Sequence, residues 1–310
     1  MASILFLAPE DLGEAVLATG ALAHALQHGG RLAVVCGADA RPLFRAAPGL
    51  IALHELPRRA GIARAWSVSR QLARMRLDIL IDARGGWLGS TMSVKRRITL
   101  KPGALLRHRA EDWADALGAE RALAPKLWID AQARAAADAA AQGPIIALAP
   151  GGADESKRWP HERFAAVARR LASGPIANAR VVVLGAAARD GETTRAIAQS
   201  LDADGVSALD LGAGLDLLAG AALLERAILC IGNDNALTHI AAAVGAPTLT
   251  LFGPTDERVR GPFGPRTRAM RGRGLQEIAA EPSRAGAMEA IAIDAVEAVA
   301  LELLHAGGLR

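Results

Sequence analysis

Short apolar runs alternate with helix-like stretches along the whole chain, and that alternation narrows the fold more than any other feature. Residues 4–7, 32–36 and 79–81 consist of Ile, Leu, Val, Phe, Ala and Cys with no polar interruption. Strands of this kind are buried on both faces, as in a parallel sheet, whereas a sheet with one wet face alternates polar and apolar residues. Residues 14–27 and 65–75 carry helical spacing between them and supply the crossovers that parallel strands need. The pattern restarts after residue 143: 145–149, 180–184, 227–231 and 247–252 read as strands, and 162–171, 192–201, 215–224 and 237–244 as helices. The expected fold class is α/β, with two doubly wound units.

Composition marks the break between them. Residues 131–142 are Ala, Asp, Gln and Arg only and run into Gly143-Pro144, which reads as a helix followed by a stop. With 310 residues the chain exceeds what one core usually holds, so domains at 1–142 and 143–310 are expected, with a cleft between them. Residues 288–304 read as a terminal amphipathic helix that can pack on either domain.

Hydrophobic residues at 51% and charged ones at 22% exclude a disordered chain. No apolar stretch reaches the roughly 18 residues of a membrane-spanning helix. The N-terminus lacks the basic region of an export leader, and its apolar run stops at Glu10-Asp11, so a cytoplasmic chain is expected. Cys36 and Cys230 each end an apolar run and read as buried, reduced thiols. The net charge of +4 is concentrated at Arg58-Arg59, Lys95-Arg96-Arg97 and Arg107-His108-Arg109, either a solvated basic face or a surface for an anionic partner. Aromatics at 3% and the lack of any reading motif argue against nucleic-acid recognition.

Ligands of open parallel sheets bind beyond the carboxyl ends of the strands, where helix N-termini offer backbone N–H groups. Three loops qualify. In the first, Gly13 permits a sharp turn and Glu14 opens a helix, either complementing its dipole or serving as a general base. In the second, Pro150-Gly151-Gly152 is small enough for close backbone approach to a phosphate, and Lys157 follows as a point charge. In the third, Gly232-Asn233-Asp234-Asn235 leads into a helix bearing Thr238 and His239; capping alone explains the Asn and Asp residues, but Gly253-Pro254-Thr255-Asp256 would emerge at the same sheet edge.

Residues 4–22, Asp78-Ile79-Leu80-Ile81-Asp82 with Gly85, Lys157-Arg158-Trp159-Pro160 with the helix after it, and Gly232-Asn233-Asp234 through His239 to Asp256 resemble, in order and spacing, the heptosyltransferases of glycosyltransferase family 9. The resemblance implies a GT-B fold, two Rossmann-like domains facing a central cleft, with acceptor on the N-terminal and nucleotide sugar on the C-terminal domain. It implies inverting, metal-independent transfer of a heptose or related sugar from ADP-heptose to the lipopolysaccharide inner core, with no cofactor beyond the donor substrate. The implied partners are that donor and an anionic glycolipid acceptor, with at most peripheral contact with the inner membrane. By the same resemblance Lys157 meets the donor phosphates, Asp234, Asn235, Ala236 and His239 surround diphosphate and sugar, Gly151 and Gly152 donate backbone N–H groups, and Glu14 stands where the family carries an Asp base. No acceptor-binding residue is assigned.

The chain departs from the family pattern at three places. Glu10-Asp11 replaces a Ser-Ser pair and no Arg stands near Ala8, so the first loop reads as acidic and as repelling a diphosphate, by about 1 kcal/mol per close pair. Glu14 is one methylene longer than Asp, and a displacement of about 1 Å can cost about 100-fold in rate. Asn235-Ala236 replaces Ser-Gly. The acidic first loop motivates an alternative expectation, a catalytically altered member acting as a nucleotide-sugar binding or assembly protein in envelope biogenesis.

Overall fold

The computed structural model describes residues 1–57, 59–100, 107–212, 215–280 and 286–306. Packing divides the chain into two units, Met1–Trp128 and Ile129–Arg310.

The first unit contains β1 (Ser3–Leu7), α1 (Leu12–Ala25), β2 (Arg31–Cys36), α2 (Arg41–Phe44), β3 (Leu50–Glu55), α3 (Ile62–Ala73), β4 (Ile79–Asp82), α4 (Trp87–Ser90), β5 (Arg96–Thr99) and α5 (Arg109–Leu117). Its strands are all parallel, in the order β3-β2-β1-β4-β5. Leu5, Leu7, Val35 and Leu80 of the sheet pack with Val68 and Leu72 of α3. Asp78 ties the beginnings of three strands together. It accepts a hydrogen bond from the Ser3 backbone N–H at 2.9 Å and pairs with Lys95 at 2.8 Å, and the Lys95 contact holds its carboxyl below the usual range.

The second unit contains α6 (Ala131–Ala140), β6 (Ile145–Ala149), α7 (His161–Ser173), β7 (Arg180–Val183), α8 (Ala187–Ala203), β8 (Ala208–Asp210), α9 (Leu217–Glu225), β9 (Leu229–Asn233), α10 (Ala236–Ala243), β10 (Thr248–Leu251), α11 (Glu257–Arg260), β11 (Thr267–Met270), α12 (Leu275–Ala280) and α13 (Ile293–Ala306). Its parallel sheet has the order β11-β10-β9-β6-β7-β8. Ile146, Leu148, Val181 and Ile231 pack beneath Phe164 and Leu171 of α7 and Val296 and Leu303 of α13. The terminal helix thus belongs to this unit, and Trp159 anchors the chain before it by donating its indole N–H to the Ile291 carbonyl at 3.0 Å.

A division after residue 142 would leave α6 with the first unit, but its packing assigns it to the second. Ala133 and Ala137 form a small buried face that lies along α9, and Arg134–Glu225 and Arg226–Asp138 ion pairs join the same two helices. Four strands absent from the sequence expectation, β3, β5, β8 and β11, are the four sheet edges. Each has exposed or half-buried positions; β5, β8 and β11 lack the continuous apolar run by which buried strands are recognised, whereas β3 carries one at residues 50–53 that the sequence expectation omitted.

Cys36 and Cys230 are buried and free, as expected, and burial pushes both thiols up to about 12. No helix among the described residues is long and apolar enough to cross a membrane.

Candidate functional site

Each sheet grows outward from its first strand and then jumps back to the other side, placing a switch point between β1 and β4 and another between β6 and β9. Loops diverge at such points, and there nucleotides bind in doubly wound folds. The expected site residues fall on the loops after β1, β6 and β9 and on the first turns of the helices that follow them.

At the switch point of the second unit, Asn233 is fully buried, donates its amide to the Pro150 carbonyl at 2.6 Å and accepts the Trp159 backbone N–H at 3.2 Å. Asn235 caps α10 by accepting from the N–H groups of Leu237 at 2.8 Å and Thr238 at 3.3 Å. Its amide nitrogen donates to the carbonyls of Ala149 at 2.9 Å and Gly151 at 2.8 Å. Those four bonds use the whole hydrogen-bonding capacity of an Asn side chain. Asn235, expected to touch the donor, is therefore a brace between the loops after β6 and β9.

The two glycines also leave room for protein side chains. A Cβ on Gly151 would stand 2.5 Å from the Asp190 carboxylate, and one on Gly152 would stand 2.9 Å from Cγ of Arg158. Asp190, only 2% exposed, and Arg158 pair at 3.2 Å, and Arg158 also donates to the Gly152 carbonyl at 3.1 Å. Protein side chains occupy the room beside these glycines and hold the loop in place.

Three chemically active groups meet on this frame. Lys157, closing a single 3-10 turn at Glu155–Lys157, places Nζ 2.9 Å from Asp234 Oδ2, and His239 Nε2 lies 4.0 Å from Asp234 Oδ1. His239 is buried, the Asp234 side chain is 9% exposed, and Lys157 keeps about a quarter of its side chain exposed. Ala236 begins α10 beside them, ahead of the N–H groups that Asn235 caps. The loop after β10 closes the arrangement: a Cβ on Gly253 would lie 2.5 Å from the Ser156 carbonyl, and Arg271 donates to the carbonyls of Gly253 at 3.2 Å and Thr255 at 2.8 Å.

In the first unit, Asp11 caps α1 by accepting the Glu14 N–H at 2.9 Å. Glu10 pairs with Arg84, and Arg109 Nε lies 3.7 Å from Glu14 Oε2 and 3.3 Å, through Nη1, from Asp112. Arg84 comes from the loop after β4, where Asp82 accepts the N–H groups of Arg84 at 3.1 Å and Gly85 at 2.8 Å, and it donates to the Leu56 carbonyl at 2.7 Å. The first loop is thus not a bare acidic surface. Its cations arrive from β4 and α5, which a reading of neighbours in sequence cannot see.

Much of the basic character of the first half is used in the same way. Lys95 serves Asp78, Arg97 donates to the carbonyls of Gly89 and Met92, and Arg107 pairs with Glu111 and Asp115. His108 caps α5 through Nδ1, and Arg59 is exposed. Arg58 lies outside the described residues. The residues missed from the sequence were Arg84, Arg109, Arg158, Asp190 and Arg271. Arg158 adjoins Lys157 and Arg84 follows the Asp82 motif, whereas nothing in the sequence marks Asp190 or Arg271.

Two doubly wound parallel sheets, with polar side chains gathered at both switch points, define a GT-B protein. The model of glycosyltransferase family 9 (heptosyltransferase) matches residues 104–285, more than half of the chain, and the chain belongs to that family. Lipopolysaccharide heptosyltransferase 2 of Salmonella typhimurium is 32% identical over 136 residues, which cover 41% of this chain and 36% of that protein. The match therefore spans only about a third of the curated relative's length. A glycosyl transferase family 9 structure from Veillonella parvula has a TM-score of 0.83 at 19% identity, covering 98% of both chains. The ADP-heptose lps heptosyltransferase II structure from E. coli has a TM-score of 0.79 at 19% identity, covering 99% of this chain and 100% of that one, and these two likenesses establish the fold.

Proposed function

We propose that the chain transfers a heptose or related sugar from ADP-heptose to an inner-core acceptor of lipopolysaccharide, with inversion and without a metal. The observation that carries this reading is the Lys157–Asp234–His239 cluster on a braced switch-point loop, in a chain of this family. Lys157 supplies a cation to the diphosphate, which competes with Asp234 for the ammonium, and the N–H groups of Gly151, Gly152 and Ala236 add neutral donors. Inversion requires the acceptor oxygen to bond to the anomeric carbon as the bond to the diphosphate breaks. The proton of that hydroxyl goes to a carboxylate, and Glu14 has that role. Arg109 faces this carboxylate, with Nε 3.7 Å from Oε2.

The relatives support the substrate class: their names specify lipopolysaccharide heptosyltransferase, and the E. coli structure's name specifies ADP-heptose. The alternative of a catalytically altered binding protein rested on an acidic first loop, and Arg84 and Arg109 remove that ground.

Loss of the Lys157 ammonium removes one charge-assisted hydrogen bond, worth about 1.5–3 kcal/mol. Lys157→Ala is expected to weaken ADP-heptose binding about 10-fold to 100-fold by calorimetric titration, and unchanged affinity would remove Lys157 from the donor site. Mass spectrometry of core oligosaccharide from a deletion strain is expected to show one heptose fewer. An intact core would sink the proposed reaction.

A further inference from the structure

Four large hydrophobic side chains are exposed among the described residues, Met1, Ile51, Trp66 and Trp87, and two of them touch. Trp66 on α3 and Trp87 at the start of α4 are 51% and 46% exposed, with ring centroids 6.0 Å apart and planes inclined at 43°. Gly85 and Gly86, at φ 73° and 92°, turn the chain so that α4 begins at Trp87. Neither ring is needed by the core, because α3 turns Ala65, Val68 and Leu72 inward instead.

The opposite face of α3 is an open groove lined by Ala63, Trp66, Ser67, Arg70, Gln71 and Arg74, one stripe at helical spacing. No acidic residue occurs between Glu55 and Asp78, a stretch holding Arg58, Arg59, Arg64, Arg70, Arg74 and Arg76. Arg64 is drawn to Glu55 at 3.6 Å, whereas Arg70 and Arg74 make no ion pair among the described residues.

Indole rings favour the boundary between water and hydrocarbon, where the ring leaves water and the N–H stays wet. Arginines beside them add attraction to anionic headgroups and extend long apolar stems. We propose that the outer face of α3, together with Trp87, seats this protein on an anionic phospholipid surface. The basic stripe supplies the charge complementarity and the paired indoles the shallow insertion. The α3 stripe carries none of the residues assigned to the donor or the base, whereas Trp87 directly follows the loop after β4 from which Arg84 reaches Glu10; the surface does not depend on which sugar is moved.

The test is co-sedimentation of the full chain with vesicles of phosphatidylethanolamine and phosphatidylglycerol, and with vesicles of phosphatidylcholine alone. Binding to the anionic vesicles, weakened by salt, is expected, with little binding to the zwitterionic ones. Arg70→Gln with Arg74→Gln should lower partitioning by at least about tenfold. Trp66→Ala with Trp87→Ala should weaken it and sharply reduce quenching of tryptophan emission by lipids brominated in the acyl chain, leaving the buried Trp113 and Trp159 and the half-buried Trp128 to emit. Thermal unfolding should match the parent in both variants, and transfer to a water-soluble acceptor should match it in Arg70→Gln with Arg74→Gln. Binding unaffected by either pair, equal binding to both vesicle types, or no bromolipid quenching overturns the proposal. So does capture of a single-stranded oligonucleotide without vesicle binding, or loss of a dimer in sedimentation equilibrium as the only effect of the variants.

Discussion

Glu14→Gln is expected to lower the transfer rate by about 100-fold to 10,000-fold, the usual contribution of a positioned general base, while leaving ADP-heptose affinity unchanged. The substitution keeps side-chain length and removes only the charge and the basic lone pairs. Asp11, not Glu14, caps α1, so the helix loses the dipole complement of a first-turn acid, about 0.3–1 kcal/mol, and Arg109 keeps Asp112 as a partner when its contact with Glu14 is lost. A rate loss without a comparable fall in melting temperature therefore separates the base from a merely structural acid. The pH profile supplies a second readout: the acid limb of kcat in the parent should disappear in Glu14→Gln. Turnover at the parental rate would exclude Glu14 as the base. Glu14→Asp tests reach, because the resemblance places Asp at this position, and retained activity would show that the loop tolerates either length.

Asn233→Leu is expected to destabilise the second unit by about 2–5 kcal/mol. The two side chains are similar in shape, so the loss comes from hydrogen bonding. The Pro150 carbonyl and the Trp159 N–H, both partnered by a fully buried amide, are left without it. Each buried unpaired group costs about 1–3 kcal/mol. For a unit of this size 1 kcal/mol corresponds to about 2–4 °C, so the melting transition should fall by roughly 5–15 °C in a thermal scan. A fall below about 2 °C would mean that the loop after β6 holds its shape without the β9 brace.

Those two residues illustrate what neighbouring sequence can and cannot disclose. All seven interior strands, β1, β2, β4, β6, β7, β9 and β10, were legible, six by an unbroken apolar run and β10 by buried Leu249 and Leu251 alternating with Thr between Pro247 and Phe252. The edge strands were not. Arg96, Arg97 and Thr99 of β5 are exposed, so the strand reads as a basic cluster. The boundary was misplaced for a related reason: an Ala-rich helix carries no sign of which unit its small face will meet, and α9 decided it.

The candidate site divides in the same way. Its local ingredients, Glu14 at a helix start, glycines after β6 and Asn-Asp-Asn after β9, stand in the sequence because turn and cap chemistry is written in adjacent residues. Whether Asn235 binds a ligand or braces a loop depends on carbonyls more than 80 residues away, and its four bonds make it a brace. The acidic loop became a charge-balanced one because Arg84 and Arg109 approach from β4 and α5. By itself the sequence determined the α/β class, the two doubly wound units and the loops that carry polar groups, since hydrophobic period and helix capping act over a few residues. Only the tertiary structure decided the sheet edges, the unit boundary and the charge around Glu14, because burial and Coulomb energy depend on distance in space, which sequence separation does not measure.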